Sequence, residues 1–156
     1  EEASDILMRF NTYAPFVRQM ADTVMRSATT RGYIKTLLGR RCHFDMWEPR
    51  QYGTGRPMKY KEAMHEYNGD IKRAFVYKAL NKLIQGSAAD MTKKAMLDCY
   101  NASYKPLLQV HDELVFSVSD KREVEGIVKI MEAAVELEVP NKVDAELGKN
   151  WGDSMS

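Results

Sequence analysis

The chain has 156 residues, of which 44% are hydrophobic, and this is enough for one hydrophobic core of ordinary domain size. Lys and Arg number 23 and Asp and Glu 22, so the net charge of +1 neither favours nor excludes a nucleic-acid partner, and any charged binding surface must be local. No apolar run approaches the roughly 20 residues that cross a membrane, so we expect a soluble protein. Cys42 and Cys99 lack the spacing of a metal site, and we expect them to be reduced thiols of a cytosolic protein rather than a disulfide.

Helical spacing dominates the start of the chain. Apolar residues from Ile6 to Ala28 recur every three or four positions, which predicts helix. Pro15 has no N–H for the helical ladder and therefore predicts a break before a second helix, which Gly32 is placed to cap. Because helical spacing begins at once and no initiator Met is present, we expect the numbered chain to start inside a longer polypeptide.

The middle of the chain changes character twice. β-Branched and aromatic residues around Gly39 indicate a strand pair or an extended loop. Residues 47–70 contain two prolines and three glycines without periodicity, which predicts a long irregular loop with at most a short helix near its end. Asp70 is then predicted to cap a long helix over about 71–100, with Gly86 in its middle.

Three polar residues interrupt the strand-forming segment 107–118. His111, Asp112 and Glu113 lie between two apolar runs, which predicts a hairpin with these residues at its turn. Hairpin turns favour glycine because they need positive φ, yet this turn has none. One interpretation is a solvated turn. Adjacent carboxylates on a rigid support are also suited to Mg²⁺, which prefers hard oxygen ligands, and the residues alone leave both interpretations open.

The remaining sequence predicts a helix and a last strand. Asp120 and Glu123 form a capping-box pattern for a helix that Pro140 ends. "KVDAEL" predicts a short strand near 143–147. We therefore predict an α+β fold: a small antiparallel sheet of the 107–118 hairpin and the 143–147 strand, covered on one face by helices 71–100 and 120–138, with the N-terminal helices alongside.

Four segments, in order along nearly the whole chain, resemble motifs of the family A (polymerase I type) DNA polymerases. They are "RGYIKTLLGRR" at 31–41, "LIQGSAADMTKKAM" at 83–96 preceded by Asn81, "LLQVHDELVF" at 107–116 and "VDAELGKNW" at 143–151. The third resembles motif C, the turn of the palm-domain hairpin. Because the matches are ordered, accidental similarity in an unrelated α/β protein is the weaker explanation.

The resemblance implies template-directed addition of deoxynucleotides to a primer 3′ end by two-metal phosphoryl transfer. It assigns Asp112 as a catalytic aspartate and metal ligand. Glu113 is its catalytic neighbour, supporting the metal site or the primer end. His111 is placed against the primer terminus, with a purely structural turn histidine as the alternative. The partners implied are primer–template DNA, deoxynucleoside triphosphates and two Mg²⁺ ions.

Further DNA contacts are implied on a helix and a corner. Asn81 and Gln85 are four residues apart and share one helix face. The resemblance places both along the minor groove, where amide donors meet base-pair acceptors. Arg40 and Arg41 are implied to contact phosphate or sugar. Two departures put local contacts in doubt: residues 42–69 do not match the family, and Tyr77 stands where many members carry Arg.

Two family features lie upstream of anything found in this sequence. These are the first palm motif, with its partner aspartate, and the fingers helix. We therefore expect residues 1–156 to be the C-terminal palm portion, inactive alone, of a longer or split polymerase whose remainder acts in cis or as a partner chain. The upstream aspartate would complete the Mg²⁺ site. We expect the cytoplasm of a bacterial or phage-infected cell, or an organelle. The alternative is a palm-derived nucleic-acid-binding module without chemistry.

Overall fold

The computed structural model describes residues 2–51, 53 and 55–154, which divide into two compact units at Gly86/Ser87. Helices and short antiparallel strands are mixed, as the α+β prediction requires. The helices are α1 (Glu2–Tyr13), α2 (Pro15–Arg31), α3 (Tyr60–Glu66), α4 (Ala79–Asn101) and α5 (Lys121–Ala133). The strands are β1 (Tyr33–Lys35), β2 (Arg41–His43), β3 (Met46–Pro49), β4 (Met58–Lys59), β5 (Ile71–Arg73), β6 (Pro106–Val110) and β7 (Glu113–Phe116). In the described ranges, no helix is long and apolar enough to cross a membrane.

The predicted break and cap of the N-terminal helices are confirmed. α1 ends at Tyr13, and Pro15 occupies the first turn of α2, where its missing N–H costs no hydrogen bond. α2 ends at Arg31 and is capped by Gly32, whose φ of 78° is left-handed and whose N–H donates to the Ala28 carbonyl. This is the usual glycine C-cap.

The core of the first unit joins α2, the β1–β2 pair and the start of α4. Ala28, Ile34, Phe44 and Ala79 are buried together. β1 and β2 pair antiparallel with Ile34 opposite Cys42, so the strand-pair interpretation around Gly39 is confirmed. In the connecting loop, the Arg40 N–H donates to Thr36 Oγ1 at 3.0 Å, and the Thr36 N–H donates to the Arg40 carbonyl at 2.9 Å. The loop is therefore closed by its own hydrogen bonds.

The prediction of an irregular loop over 47–70 is wrong in part. The short helix near its end forms as α3, but β3 and β4 also lie there and join β5 in a three-stranded sheet of order β4-β3-β5. Trp47 in β3 lies between Met58 of β4 and Arg73 of β5. Strands of two to four residues are too short to show alternation, so pairing between distant segments decides this structure.

Asp70 does not cap a helix, which corrects the predicted start of α4. Residues 71–73 form β5 instead, and the Asp70 carboxylate lies 3.3 Å from the Arg50 guanidinium. A 3₁₀ turn (Val76–Lys78) follows, and α4 begins only at Ala79. The predicted long helix with Gly86 inside it is otherwise confirmed, ending at Asn101.

Arg73 ties three elements of the first unit together. Its Nε donates to the Thr29 carbonyl in the last turn of α2 at 3.1 Å, and its Nη1 donates to the Phe44 carbonyl at 3.0 Å. The guanidinium carbon lies 4.4 Å from the Trp47 ring centroid. The side chain therefore satisfies two backbone carbonyls and stacks on an aromatic ring at once.

The second unit contains the C-terminal half of α4, the β6–β7 hairpin and α5. Gly126 of α5 lies close to Tyr104, because a Cβ added there would stand 2.5 Å from the Tyr104 hydroxyl oxygen. Cys99 is buried, and both cysteines are free thiols, as expected. Burial, together with the nearby Asp98 carboxylate, raises the pKa of the Cys99 thiol.

The predicted Asp120 cap of α5 forms, and Glu123 reaches back as predicted, but to the N–H of Ser119 rather than to that of Asp120 itself. The Asp120 carboxylate accepts from the backbone N–H groups of Arg122 (2.7 Å) and Glu123 (3.2 Å), and the Glu123 carboxylate accepts from the Ser119 N–H at 2.9 Å. We expect Asp120→Ala to lower the free energy of unfolding by about 1 kcal/mol, because two helix N–H groups lose their acceptor. Urea denaturation followed by circular dichroism measures this. Asp120→Asn, which keeps an acceptor, is the control, and equal midpoints for the two variants would contradict the prediction.

Two predictions for the C-terminal region are wrong. α5 ends at Ala133, short of residue 138. Residues 143–147 form no strand in the described chain, so the hairpin sheet has two strands rather than three. The Val143 N–H instead donates to the Glu132 carboxylate at 3.2 Å. An alternating sequence makes a strand only where a partner edge is available, and here a side chain takes the N–H.

Candidate active site

The β6–β7 hairpin places the polar triplet at its tip, as predicted. Val110 pairs with Glu113, so His111 and Asp112 form a two-residue turn and Glu113 begins β7. The register shifts between Pro106 and Leu108, which leaves a bulge in β6 before the turn. Bulges increase local twist and commonly re-aim side chains beside functional sites.

His111 adopts a conformation that hairpin turns usually assign to glycine. Its φ is +54°, in the left-handed region, where His is one of the few enriched residues. The Gln109 side-chain amide donates to the His111 carbonyl at 3.0 Å and braces the turn. The sequence analysis did not identify Gln109. The signal that could have indicated its role is a side chain with hydrogen-bond donors two residues before a turn that lacks glycine.

The φ of His111 leads to a testable difference between two substitutions. We expect His111→Val to be less stable than His111→Asn by about 1–2 kcal/mol, because a β-branched side chain tolerates positive φ poorly and Asn tolerates it well. Urea denaturation of both variants, with wild type alongside, gives the comparison. A Val variant as stable as the Asn variant would show that the turn readily adopts another conformation.

The two carboxylates at the tip are open to solvent and to cations. Asp112 and Glu113 are both exposed. Within the part of the chain that the structure describes, neither accepts a hydrogen bond nor lies in an ion pair. Two adjacent negative charges without a protein counter-charge favour binding of a divalent cation.

The donor set suits Mg²⁺ in kind but is small in number. Carboxylate oxygens are the ligands this ion prefers. In residues 2–51, 53 and 55–154, no group of three or more His, Cys, Asp and Glu side chains is arranged to hold a metal. The hairpin tip therefore offers two carboxylate side chains, fewer than a complete metal site requires.

The second set of predicted residues lies in the first unit. Asn81 and Gln85 are exposed one turn apart on α4. Arg40 Nη2 donates to the carbonyl of Gly86 at 3.0 Å. A Cβ on Gly86 would stand 3.0 Å from Thr36 Cγ2 and 3.2 Å from Arg40 Nη2, so glycine allows this close approach. The structure thus brings Arg40 beside the residue that follows Gln85.

Arg41 has a different environment from Arg40. It is exposed, and its guanidinium carbon lies 4.7 Å from the Tyr33 ring centroid. Arg41 therefore packs on an aromatic face while its side chain stays exposed, whereas the Arg40 guanidinium donates to the Gly86 carbonyl and to the Cys42 sulfur. The triplet His111, Asp112 and Glu113 belongs to the second unit. Its predicted roles in DNA contact and metal binding stay predictions. The same holds for the DNA contacts predicted for Asn81, Gln85, Arg40 and Arg41.

The family model described as DNA polymerase family A matches residues 1–153. The chain is 38% identical over 154 residues to a DNA-directed DNA polymerase of Pseudomonas phage M6, covering 99% of this chain and 20% of the relative. It is 34% identical to DNA polymerase I of Geobacillus stearothermophilus, covering 99% of this chain and 17% of the relative. Among solved structures, the POL domain of Pol1 from M. smegmatis, in complex with DNA primer-template and dNTP, matches with a TM-score of 0.73 and 30% identity, covering 100% of this chain and 26% of that one.

The family match spans almost all of the chain, and the chain spans about a fifth of the length of these curated relatives. The motif order described above, the mixed helix and antiparallel-strand architecture and the hairpin with its acidic turn agree with that match. The chain belongs to DNA polymerase family A.

Proposed function

We propose that this chain is the C-terminal palm portion of a template-directed DNA polymerase that adds deoxynucleotides to a primer 3′ end. The observation that carries the proposal is the braced turn of the β6–β7 hairpin. It exposes the Asp112 and Glu113 carboxylates without a described counter-charge. Membership of the polymerase family supports the reaction class.

Asp112 and Glu113 would hold Mg²⁺ together with an aspartate from outside these residues. Magnesium, when bound, supplies charge stabilisation for the attacking and leaving oxygens of phosphoryl transfer. The contribution of this chain is position: a two-residue turn fixes Asp112, and the Gln109 amide limits movement of the turn. A rigid ligand support avoids reorganisation when the cation binds.

The remaining site residues would bind the DNA. His111 would contact the primer terminus, and the Asn81 and Gln85 amides would donate to minor-groove acceptors that all base pairs share. Arg41, which is exposed, suits a phosphate, whereas Arg40 would act with donors already on the Gly86 carbonyl and the Cys42 sulfur. The primer-template and dNTP bound in the M. smegmatis POL domain support DNA and a deoxynucleoside triphosphate as partners.

The proposed reaction requires more protein than these residues. Two carboxylates provide too few ligands for two metal ions. The phage relative is also about five times as long as this chain. The remainder of the polymerase would act in cis or as a partner chain. Residues 1–156 alone would therefore not extend a primer.

The full-length protein should extend a labelled primer in Mg²⁺, adding only the nucleotide complementary to the template. Gel analysis with each single deoxynucleotide measures this, and EDTA and a mismatched template base are the controls. A full-length protein that binds primer–template without any extension would reject the enzymatic proposal in favour of a binding module.

A further inference from the structure

The turn before α4 carries an exposed aromatic surface that the proposed site does not use. We call Phe75, Tyr77 and Lys78 the Tyr77 platform. Phe75 is 36% and Tyr77 68% exposed. The Lys78 ammonium lies 5.0 Å from the Phe75 ring centroid and 5.6 Å from that of Tyr77. Both distances are within the range of cation–π attraction, so the platform is one cluster.

The backbone of the platform is held in an uncommon conformation. Phe75 has a φ of +61°, and a bulky residue in the left-handed region carries conformational strain. Hydrogen bonds on both sides fix it: the Ala74 N–H donates to the Met46 carbonyl, and the Lys78 N–H donates to the Phe75 carbonyl, both at 2.9 Å. Core packing does not explain the strain, since Phe75 is 36% exposed.

The charged residues of the segment that carries the platform are all basic, although one of them, Lys72, is paired with Glu48 of β3. Residues 71–86 contain four basic residues and no acidic one, in a chain whose net charge is only +1. Within the described ranges, neither Lys78 nor Lys82 lies within ion-pair distance of a carboxylate. The Lys82 ammonium lies 4.6 Å from the Phe44 ring centroid. The segment therefore presents positive charge beside exposed aromatic rings, which complements a polyanion with flat, stackable groups.

We propose that the Tyr77 platform binds single-stranded DNA, with an unpaired base stacked on Tyr77 and a phosphate beside Lys78. Tyr77 precedes Asn81 by four residues in one continuous helical stretch, so the platform extends the line of Asn81 and Gln85 by about one turn. The proposal rests on the proposed function for the identity of the strand as DNA and goes beyond it by adding a site for unpaired bases. An apolar protein partner suits the surface less, because the polar residues Lys78, Asn81 and Lys82 of the same segment are also exposed.

Fluorescence anisotropy with the full-length protein tests the platform. The probes are a fluorescein-labelled oligo(dT) strand and an abasic strand of equal length. Tyr77→Ala should weaken oligo(dT) binding about tenfold and leave binding of the abasic strand unchanged, because stacking needs a base. Tyr77→Phe should stay within about twofold of wild type, since the ring is kept. Tyr100→Ala, which removes a 58% exposed tyrosine near the C-terminus of α4, is the matched control.

Salt dependence gives a second test. Lys78→Gln should reduce the slope of log affinity against log salt concentration by about one, as expected for the loss of one phosphate contact. Three results would overturn the proposal. They are a Tyr77→Ala affinity for oligo(dT) equal to that of wild type, equal losses of affinity for oligo(dT) and for the abasic strand in Tyr77→Ala, and an unchanged salt slope for Lys78→Gln. These readouts measure binding, so an absence of primer extension would reject the proposed function without altering them.

Discussion

Asp112→Asn should abolish primer extension by the full-length protein. The substitution keeps the shape of the side chain and removes its negative charge, and a neutral amide is a much weaker Mg²⁺ ligand than a carboxylate. Loss of one preorganised electrostatic group from a phosphoryl-transfer site costs about 1,000-fold in rate. Because Asp112 is exposed in a turn that Gln109 and the strand register hold, the fold should not change.

The assay must separate chemistry from DNA binding. Single-turnover extension at saturating DNA gives the rate, and anisotropy with labelled primer–template gives the affinity. We expect the Asp112→Asn affinity to equal or exceed that of wild type, because one negative charge near the DNA is removed. Asp144→Asn, at another exposed aspartate of the same unit, should extend at the wild-type rate. If Asp112→Asn extends as fast as this control, Asp112 is not a metal ligand in the reaction.

Arg73→Met should lower the free energy of unfolding by about 2 kcal/mol, allowing for the partial exposure of Arg73. The variant keeps an unbranched apolar side chain close to the aliphatic part of Arg but loses both donors. The carbonyls of Thr29 and Phe44 then lose charged partners, and the last turn of α2 loses a cation that its dipole favours. Stacking on Trp47 is also weakened. The β3–β5 pair and α2 should therefore separate at a lower urea concentration.

Urea denaturation of residues 1–156, monitored by Trp fluorescence, is the direct measurement. Lys72→Met changes the neighbouring residue of β5 and is the matched control. The Lys72 ammonium lies 3.7 Å from Glu48, an ion pair whose partners both keep access to solvent and that should contribute less than about 1 kcal/mol. Equal midpoints for the Arg73 and Lys72 variants would show that the Arg73 hydrogen bonds contribute no more than a surface pair.

Local signals predicted much of the fold. The proline break at Pro15, the Gly32 cap and the Asp120 cap each depend on a few neighbouring residues, and all three are confirmed. The sheet of β3, β4 and β5 was not predicted, because its strands pair with segments that are distant in sequence. Each strand is also too short to show an alternation of apolar and polar residues. The predicted strand at 143–147 was wrong for the opposite reason. The local alternation was present, but in the described chain no strand pairs with this segment.

The candidate site divides in the same way. The positions of His111, Asp112 and Glu113 at a hairpin tip followed from the apolar runs on either side. The positive φ of His111 and the Gln109 hydrogen bond depend on turn geometry that residue types do not specify. The contact between Arg40 and Gly86 depends on a loop meeting a helix 46 positions along the chain.

The contrast between the two cysteines offers a route to site-specific labelling. A maleimide reacts with a thiolate, and the raised pKa and burial of Cys99 keep that thiol protonated and shielded in the folded state. Cys42 is only partly buried, and its sulfur lies 3.7 Å from Arg40 Nη1. Within residues 1–156, a fluorophore would therefore attach first at Cys42, beside the loop that packs on Gly86, and would report on that contact without the introduction of a new residue.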